Sequence, residues 1–236
     1  MKKFLLLLFF PPLLHAQTTY HQQQYWIRYQ NTLTFSKKIS LISEIDNRRF
    51  FNPDVQAQLI GHMHAHLKLS PSVDVAGGYT LSWVYGSLPE MGYQPARGEI
   101  RPFVEGNHKW TNKNFSFLNR LRIDNRFLQQ SPDIPLWDDS RFSVRFRYRF
   151  IAQWDLGDET EHHHPIKIKL GDELMVNAMG TRFDQNRLFL NTEIGLSKNL
   201  ALELGYIYLH QQKFGSNEFY SRQVARVTLM HALHLK

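Results

Sequence analysis

Residues 141–154 of the chain read RFSVRFRYRFIAQW. Apolar and aromatic side chains occupy every second position from Phe142 to Trp154, and arginines stand at three of the positions between them. Successive side chains of an extended strand point to opposite faces. The segment is therefore predicted to be a strand with one aromatic face and one positively charged face. A soluble sheet would bury the aromatic face, whereas a transmembrane barrel would turn it towards lipid and turn the arginines towards the lumen.

The same alternation runs along the chain from residue 24 onward. Strands are predicted near residues 24–35, 39–51, 57–69, 73–85, 99–110, 115–127, 141–154, 166–176, 188–196, 202–208 and 225–235. Short turns and longer polar loops separate these segments alternately, as in outer-membrane barrels. The sequence has no helical apolar stripe and no Rossmann or P-loop glycine motif. These patterns predict a single all-β domain, an antiparallel transmembrane β-barrel.

The number of strands is predicted from the same segments. Bacterial single-chain barrels have even strand numbers, whereas the alternation gives about eleven segments. We expect residues 18–24 to contribute a short additional strand, which makes twelve strands. The alternative is a barrel of ten strands, in which two of the predicted segments form one strand or one segment is not a strand.

The first residues are typical of a secretory signal peptide. Residues 1–16 combine a basic start, an apolar core over residues 4–10 and Ala16 as a small residue for cleavage. A short N-terminal membrane anchor is the alternative, but the apolar run is too short to span a bilayer. Residues 17–236 are then predicted to form the barrel domain.

Composition limits the classes of partner and site. The chain contains no cysteine, which excludes a lipoprotein anchor, disulfides and thiolate metal sites. Its formal net charge of +7 is too modest to indicate nucleic-acid binding.

Aromatic residues concentrate near the ends of the predicted strands, where interfacial girdles lie in membrane proteins. These residues are Tyr25, Trp26, Trp83, Tyr85, Trp110, Phe127 and Trp154. Together with the predicted signal peptide, they favour an outer-membrane location in which lipid contacts the apolar face. We expect the barrel to be a monomer. A soluble periplasmic β-protein is the alternative.

Five short motifs carry a resemblance to a known family. They are YWIRY at 25–29, EIDNR at 44–48, LNRLRIDNR at 118–126, FDQNR at 183–187 and GYIY at 205–208. In this order the chain resembles the domain-of-unknown-function family 2490, predicted outer-membrane barrels of Gram-negative bacteria. The resemblance implies export and insertion by the barrel-assembly machinery. It implies no activity, because the family has none assigned.

Seven arginines on two consecutive strands are predicted to face one lumen. They are Arg120, Arg122, Arg126, Arg141, Arg145, Arg147 and Arg149. Carboxylates available on the polar faces are Glu44, Asp46, Glu99, Glu105, Asp124, Glu173, Glu193 and Glu203. One hypothesis is a cross-strand arginine–carboxylate network that fills the lumen of a structural or interaction protein. The alternative is a small channel lined by arginine that favours acidic solutes or oligosaccharides.

Three histidines, His62, His64 and His66, share one face of a predicted strand. Two of them can bind one zinc ion if a neighbouring strand supplies a third ligand, for which Glu44 or Asp46 is the candidate. We nevertheless expect polar lumen residues without a metal, and no cofactor.

No catalytic arrangement is evident in the sequence. A loop separates His210 from Ser216, and the His-x-Ser-Asn motif of outer-membrane lipid hydrolases is absent. We expect no enzymatic activity, and a lipid-modifying enzyme is the second alternative. The three consecutive histidines at 162–164 are expected to belong to a solvated turn.

Overall fold

The structure is a computed structural model, and it describes residues 18–156 and 165–235. Eleven strands in these residues close into one barrel. In chain order they are β1 (Thr19–Thr34), β2 (Ile39–Phe50), β3 (Gln56–Lys68), β4 (Val73–Val84), β5 (Arg97–Asn112), β6 (Phe115–Gln129), β7 (Ser140–Leu156), β8 (Ile166–Asn177), β9 (Phe183–Ser197), β10 (Leu200–Gln212) and β11 (Phe219–His234). A three-residue 3₁₀ helix, Pro89–Met91, lies between β4 and β5. The described residues contain no helix that is long and apolar enough to cross a membrane.

Strand β7 has the two faces that its sequence predicts. Phe146 and Tyr148 are exposed on the outer wall, whereas Arg145 is buried inside the barrel. Because side chains alternate along a strand, the same division between an apolar exterior and a polar interior recurs around the wall. The prediction of an all-β barrel is confirmed.

The prediction of twelve strands, with ten as the alternative, is wrong for the described residues. Residues 19–24 do not form a separate strand, because they are the first part of β1. The odd number is accommodated where the sheet closes. Strands β1 and β11 pair in parallel there, from Thr19 opposite Phe219 to Thr34 opposite His234. All other neighbouring strands are antiparallel.

The connections differ between the two ends of the barrel. At one end, turns of two to four residues join β1 to β2, β3 to β4, β5 to β6 and β9 to β10. At the other end the connections are longer, and two of them, 85–96 and 130–139, have ten residues or more. The predicted alternation of short turns and long loops is therefore present in these connections. The predicted signal peptide at residues 1–16 and the histidines at 162–164 lie outside the described residues.

Candidate functional site: charged residues in the barrel interior

Arg145 lies between two buried carboxylates. Its register places it opposite Asp124 of β6, and its Nε and Nη2 both donate to Asp124 Oδ2, at 2.9 and 2.7 Å. Its Nη1 donates to Asp184 Oδ2 at 3.0 Å. Charge-assisted bonds of this kind are among the strongest polar contacts in proteins. The guanidinium therefore fixes the positions of β6 and β9 relative to β7.

These contacts belong to a longer series of ion pairs, here called the ion-pair chain. In order of contact its members are Glu99, Arg126, Asp184, Arg145, Asp124, Arg147, Glu173, Arg120, Glu105 and Arg122. The end pairs are short: Arg126 Nε lies 2.6 Å from Glu99 Oε1, and Arg122 Nη2 lies 2.6 Å from Glu105 Oε2. Because the members come from β5, β6, β7, β8 and β9, the ion-pair chain connects five consecutive strands across the interior.

Two smaller groups of ion pairs lie on β1 and β2 and on β8 to β11. Arg28 contacts Asp46 at 2.7 Å and Glu44 at 3.4 Å, and Arg48 contacts Asp46 at 2.9 Å. In the other group, Lys169 contacts both Glu193 and Glu203, and Arg226 contacts Glu203. All eight carboxylates predicted from the sequence thus have a cationic partner: Glu44, Asp46, Glu99, Glu105, Asp124, Glu173, Glu193 and Glu203.

Two of the seven candidate arginines lie outside the ion-pair chain. Within the described residues, Arg149 makes no ion pair, although it lines the central cavity. Arg141 lies near the end of β7, and its guanidinium carbon stands 3.9 Å from the centre of the Phe214 ring. Among the residues that the structure describes, these two candidate arginines therefore take no part in the ion-pair chain.

Several interior residues were missed by the sequence analysis. They are Arg28, Arg48, Arg101, Lys169, Asp184, Arg187 and Arg226. Except for Asp184, each falls on the polar face of its strand, so alternation was the signal that could have found them. Asp184 lies at a register shift between β8 and β9, which alternation does not predict. Arginine is densest on β6 and β7, but the charged residues of the interior extend around the barrel.

Large apolar side chains also occupy the interior. Trp26 is almost completely buried, and Arg48 stacks over its ring with 3.8 Å between the guanidinium carbon and the ring centre. Arg122 stacks over Phe103 in the same way, at 3.9 Å. The assignment of Trp26 to an outer aromatic girdle is therefore wrong. Consecutive residues of a strand face opposite sides, so Tyr25 and Trp26 cannot both face outward.

The free space inside the barrel is divided. A cavity of about 400 Å³ and a second of about 160 Å³ lie in the interior. Four residues line both cavities: Arg48, Arg101, Arg145 and Arg187. These four side chains therefore lie between the two cavities.

The histidines of β3 face the larger cavity. His62 Nδ1 lies 2.6 Å from the Thr80 hydroxyl, and His64 and His66 contact each other. The expected third metal ligand was Glu44 or Asp46, but both of these carboxylates face Arg28 instead.

The outer wall is apolar around the barrel and carries aromatic clusters near both ends of the strands. At the short-turn end, Phe115 stacks on Trp154 and Trp110 stacks on Phe117, each with 5.5 Å between ring centres. Near the long-loop end, Phe127 lies 5.0 Å from Phe142. The protein is thus a closed β-barrel with an apolar exterior and a charged interior.

Comparison with known families agrees with the sequence resemblance. Residues 23–220 match the family described as a protein of unknown function (DUF2490), and the chain belongs to this family. A search of curated proteins finds no match.

Proposed function

We propose that the protein is an outer-membrane β-barrel with a structural or interaction role, whose interior is filled by ion pairs and apolar side chains. The observation that carries the proposal is the polarity of the wall, which is apolar outside and charged inside. A soluble protein has the opposite arrangement, because its apolar residues are withdrawn from water.

The exposure of the outer wall supports lipid as its surroundings. Ile45, Val104, Leu121 and Leu170 lie on four different strands, and each is at least 60% exposed. Soluble monomers rarely expose a continuous apolar patch larger than a few hundred Å². An apolar band with aromatic residues near both ends matches the wall of an outer-membrane barrel.

The interior favours a closed barrel over an open pore. The carboxylates of the ion-pair chain are held by arginines, and four arginine side chains line both cavities. The long loops at one end expose Tyr93 and Trp137, which are 83% and 78% exposed. Exposed aromatic side chains are enriched at binding surfaces, which supports an interaction role for these loops.

Two measurements test the proposal. Heat-modifiable gel mobility of the protein extracted from outer membranes by detergent is expected, because a folded barrel migrates differently from its unfolded chain. The protein folded in a planar bilayer is expected to carry no stable open current. Recovery in the soluble periplasmic fraction would exclude the membrane location, and a sustained current would exclude the closed interior.

A small channel that favours anions is the second candidate. Eleven cationic side chains and only four carboxylates line the larger cavity. Rings of Arg and Lys favour anionic solutes. In the bilayer experiment this candidate requires an open current with anion preference, and a cation-selective current would exclude it.

The proposal includes no catalytic role. His210, the histidine considered for a lipid-modifying enzyme, stacks on the Phe219 ring with 5.1 Å between centres. The Ser216 hydroxyl accepts a hydrogen bond from the Glu218 backbone N–H. Both side chains therefore have a local structural role in the connection between β10 and β11.

A further inference from the structure

Three potential metal ligands converge in the larger cavity. They belong to His64 and His66 on β3 and Glu105 on β5, and one ligand atom of each residue lies within 4.8 Å of the other two. His66 Nε2 is 3.0 Å from His64 Nδ1 and 4.0 Å from Glu105 Oε1. Ligand atoms of a tetrahedral zinc ion are about 3.3 Å apart, given zinc–ligand bonds of about 2.0–2.1 Å. Small rotations of these side chains would therefore complete the geometry.

The small residues of β4 allow this approach. Strand β4 lies between β3 and β5, and it places Gly78 opposite His64 and Ala76 opposite His66. A Cβ atom at Gly78 would lie 2.5 Å from the Cβ of His64, which is too close for any side chain. Glu105 can reach the histidines because nothing larger than the Ala76 methyl group stands between them on the inner face.

Two of the three ligands, His66 and Glu105, are already oriented by other side chains. His66 Nδ1 lies 2.7 Å from Asp74 Oδ1. An ionised carboxylate can only accept, so the ring donates from Nδ1 and, when neutral, has its lone pair on Nε2, which lies 3.0 Å from His64 Nδ1. A carboxylate on the far nitrogen is the usual arrangement for a histidine that binds a metal.

Glu105 divides its two oxygens between different partners. Oε2 accepts from Arg122 Nε at 2.6 Å, as part of the ion-pair chain. Oε1 faces the histidine pair and accepts a bond from Asn107 Nδ2 at 3.1 Å. The carboxylate is therefore held in place by one oxygen while the other is directed at the candidate site.

We propose that His64, His66 and Glu105 form a zinc-binding site inside the barrel. Two imidazole nitrogens and one carboxylate oxygen are ligands that Zn²⁺ favours, and water from the cavity supplies the fourth position. The site does not depend on the membrane location of the barrel. It also differs from the expected set, because the third ligand comes from β5 and not from β2.

Zinc titration of the full chain tests the proposal. The protein is produced without a histidine tag, folded in detergent, treated with a chelator and titrated with Zn²⁺ in competition with a chromophoric chelator. We expect one zinc ion per chain. D74N should weaken zinc binding by about tenfold or more, since it neutralises the carboxylate that accepts from His66 Nδ1 and from Asn107 Nδ2. H64Q and H66Q should each weaken it further than D74N does.

Two control variants remove histidines that the proposal does not use. H62Q changes a neighbour on the same face of β3, and replacement of residues 162–164 by glutamine removes the other histidine cluster. Both should retain the affinity of the unchanged protein. Loss of zinc binding in either control, with H64Q and H66Q unaffected, would overturn the proposal.

A measurement on the unchanged protein covers the case in which a variant fails to fold. X-ray absorption at the zinc edge should show two imidazole nitrogens, with oxygen as the remaining ligands. Zinc bound at well below one ion per chain, or without histidine ligands, would overturn the proposal regardless of the behaviour of the variants.

Discussion

Asp124 is the central carboxylate of the ion-pair chain. It is buried and contacts both Arg145 and Arg147. Asp124→Asn keeps the shape of the side chain but leaves two buried guanidinium groups short of a negative charge. Breaking a buried ion pair costs about 3–5 kcal/mol. We expect a decrease of that size in the free energy of unfolding, measured by urea titration of the protein in lipid vesicles.

The matched control is Asp133→Asn. Asp133 is exposed in the loop between β6 and β7, so the same chemical change should alter the free energy of unfolding by less than about 0.5 kcal/mol. Equal effects of the two substitutions would show that the ion-pair chain does not stabilise the barrel.

Alternation along a strand predicts which side chains face the interior of the barrel, but it does not predict which partners they contact. The inward direction of Arg120, Arg122 and Arg145 follows from their position on the polar faces of β6 and β7. Their partners do not follow, because contacts such as Arg145 with Asp184 join strands that are not neighbours. Such contacts depend on the tilt and stagger of the barrel, which no local pattern encodes.

Lys113 occupies a strained position in the two-residue turn between β5 and β6. Its φ is +50°, in the left-handed region that disfavours side chains other than those of Gly, Asn and Asp. Lys113→Asn should therefore raise the free energy of unfolding by up to about 1 kcal/mol.

The control for this turn is Lys198→Asn in the two-residue connection between β9 and β10. Among the described residues Lys113 is the only non-glycine residue with a positive φ, so Lys198 is not strained in this way. The substitution removes the same charge and should give no gain. A similar gain in both variants would indicate an effect of charge and not of backbone conformation.

A substitution on the outer face of β6 tests whether lipid or water surrounds the barrel. Leu121 is 66% exposed near the middle of the strand. If lipid surrounds it, Leu121→Arg should lower the free energy of unfolding in vesicles by about 2–4 kcal/mol. If water surrounds it, the substitution should leave the free energy of unfolding almost unchanged, because charged side chains are commonly exposed to solvent on protein surfaces.

Leu69→Arg is the control for the position along the barrel. Leu69 is also exposed, but it lies in the turn after β3, at the end of the wall. Arginine near an interface costs only about 0–1 kcal/mol. An equally large loss at both positions would contradict the depth dependence that a bilayer imposes.

The strands themselves were the most predictable part of the fold. All eleven predicted segments correspond to strands, because a wall with one apolar face requires a period of two in the sequence. The ends of β1 were predicted less well. Residues 19–24 read TYHQQQ and lack a continuous apolar face, so the pattern gave no reason to attach them to the segment that follows.

The parallel closure of the barrel can be tested with a cross-link. The chain has no cysteine, so an introduced pair cannot form other disulfides within it. Gln23 lies opposite Gln223 on the outer side of β1 and β11. The double variant Q23C/Q223C should form a disulfide under mild oxidation, detected as a change in mobility on a non-reducing gel.

Q23C/H231C is the control for strand direction. In the parallel register His231 lies opposite Asn31, eight residues along the strand from Gln23, which is about 26 Å. An antiparallel closure, as in a barrel of even strand number, would bring residues 23 and 231 together. Cross-linking of this pair in preference to Q23C/Q223C would therefore exclude the closure described above.

The parallel pair also determines the order in which the sheet can be completed. Each antiparallel pair consists of two consecutive strands joined by one connection. In the parallel pair of β1 and β11, Thr19 and its partner Phe219 are 200 positions apart in the chain. Contacts between distant segments form slowly, because the entropy of closing a long loop must be overcome first. We expect the Q23C/Q223C disulfide to form later during refolding than one within a hairpin. Until then β1 and β11 are open edges, and an incomplete barrel can pair with a second chain at either one.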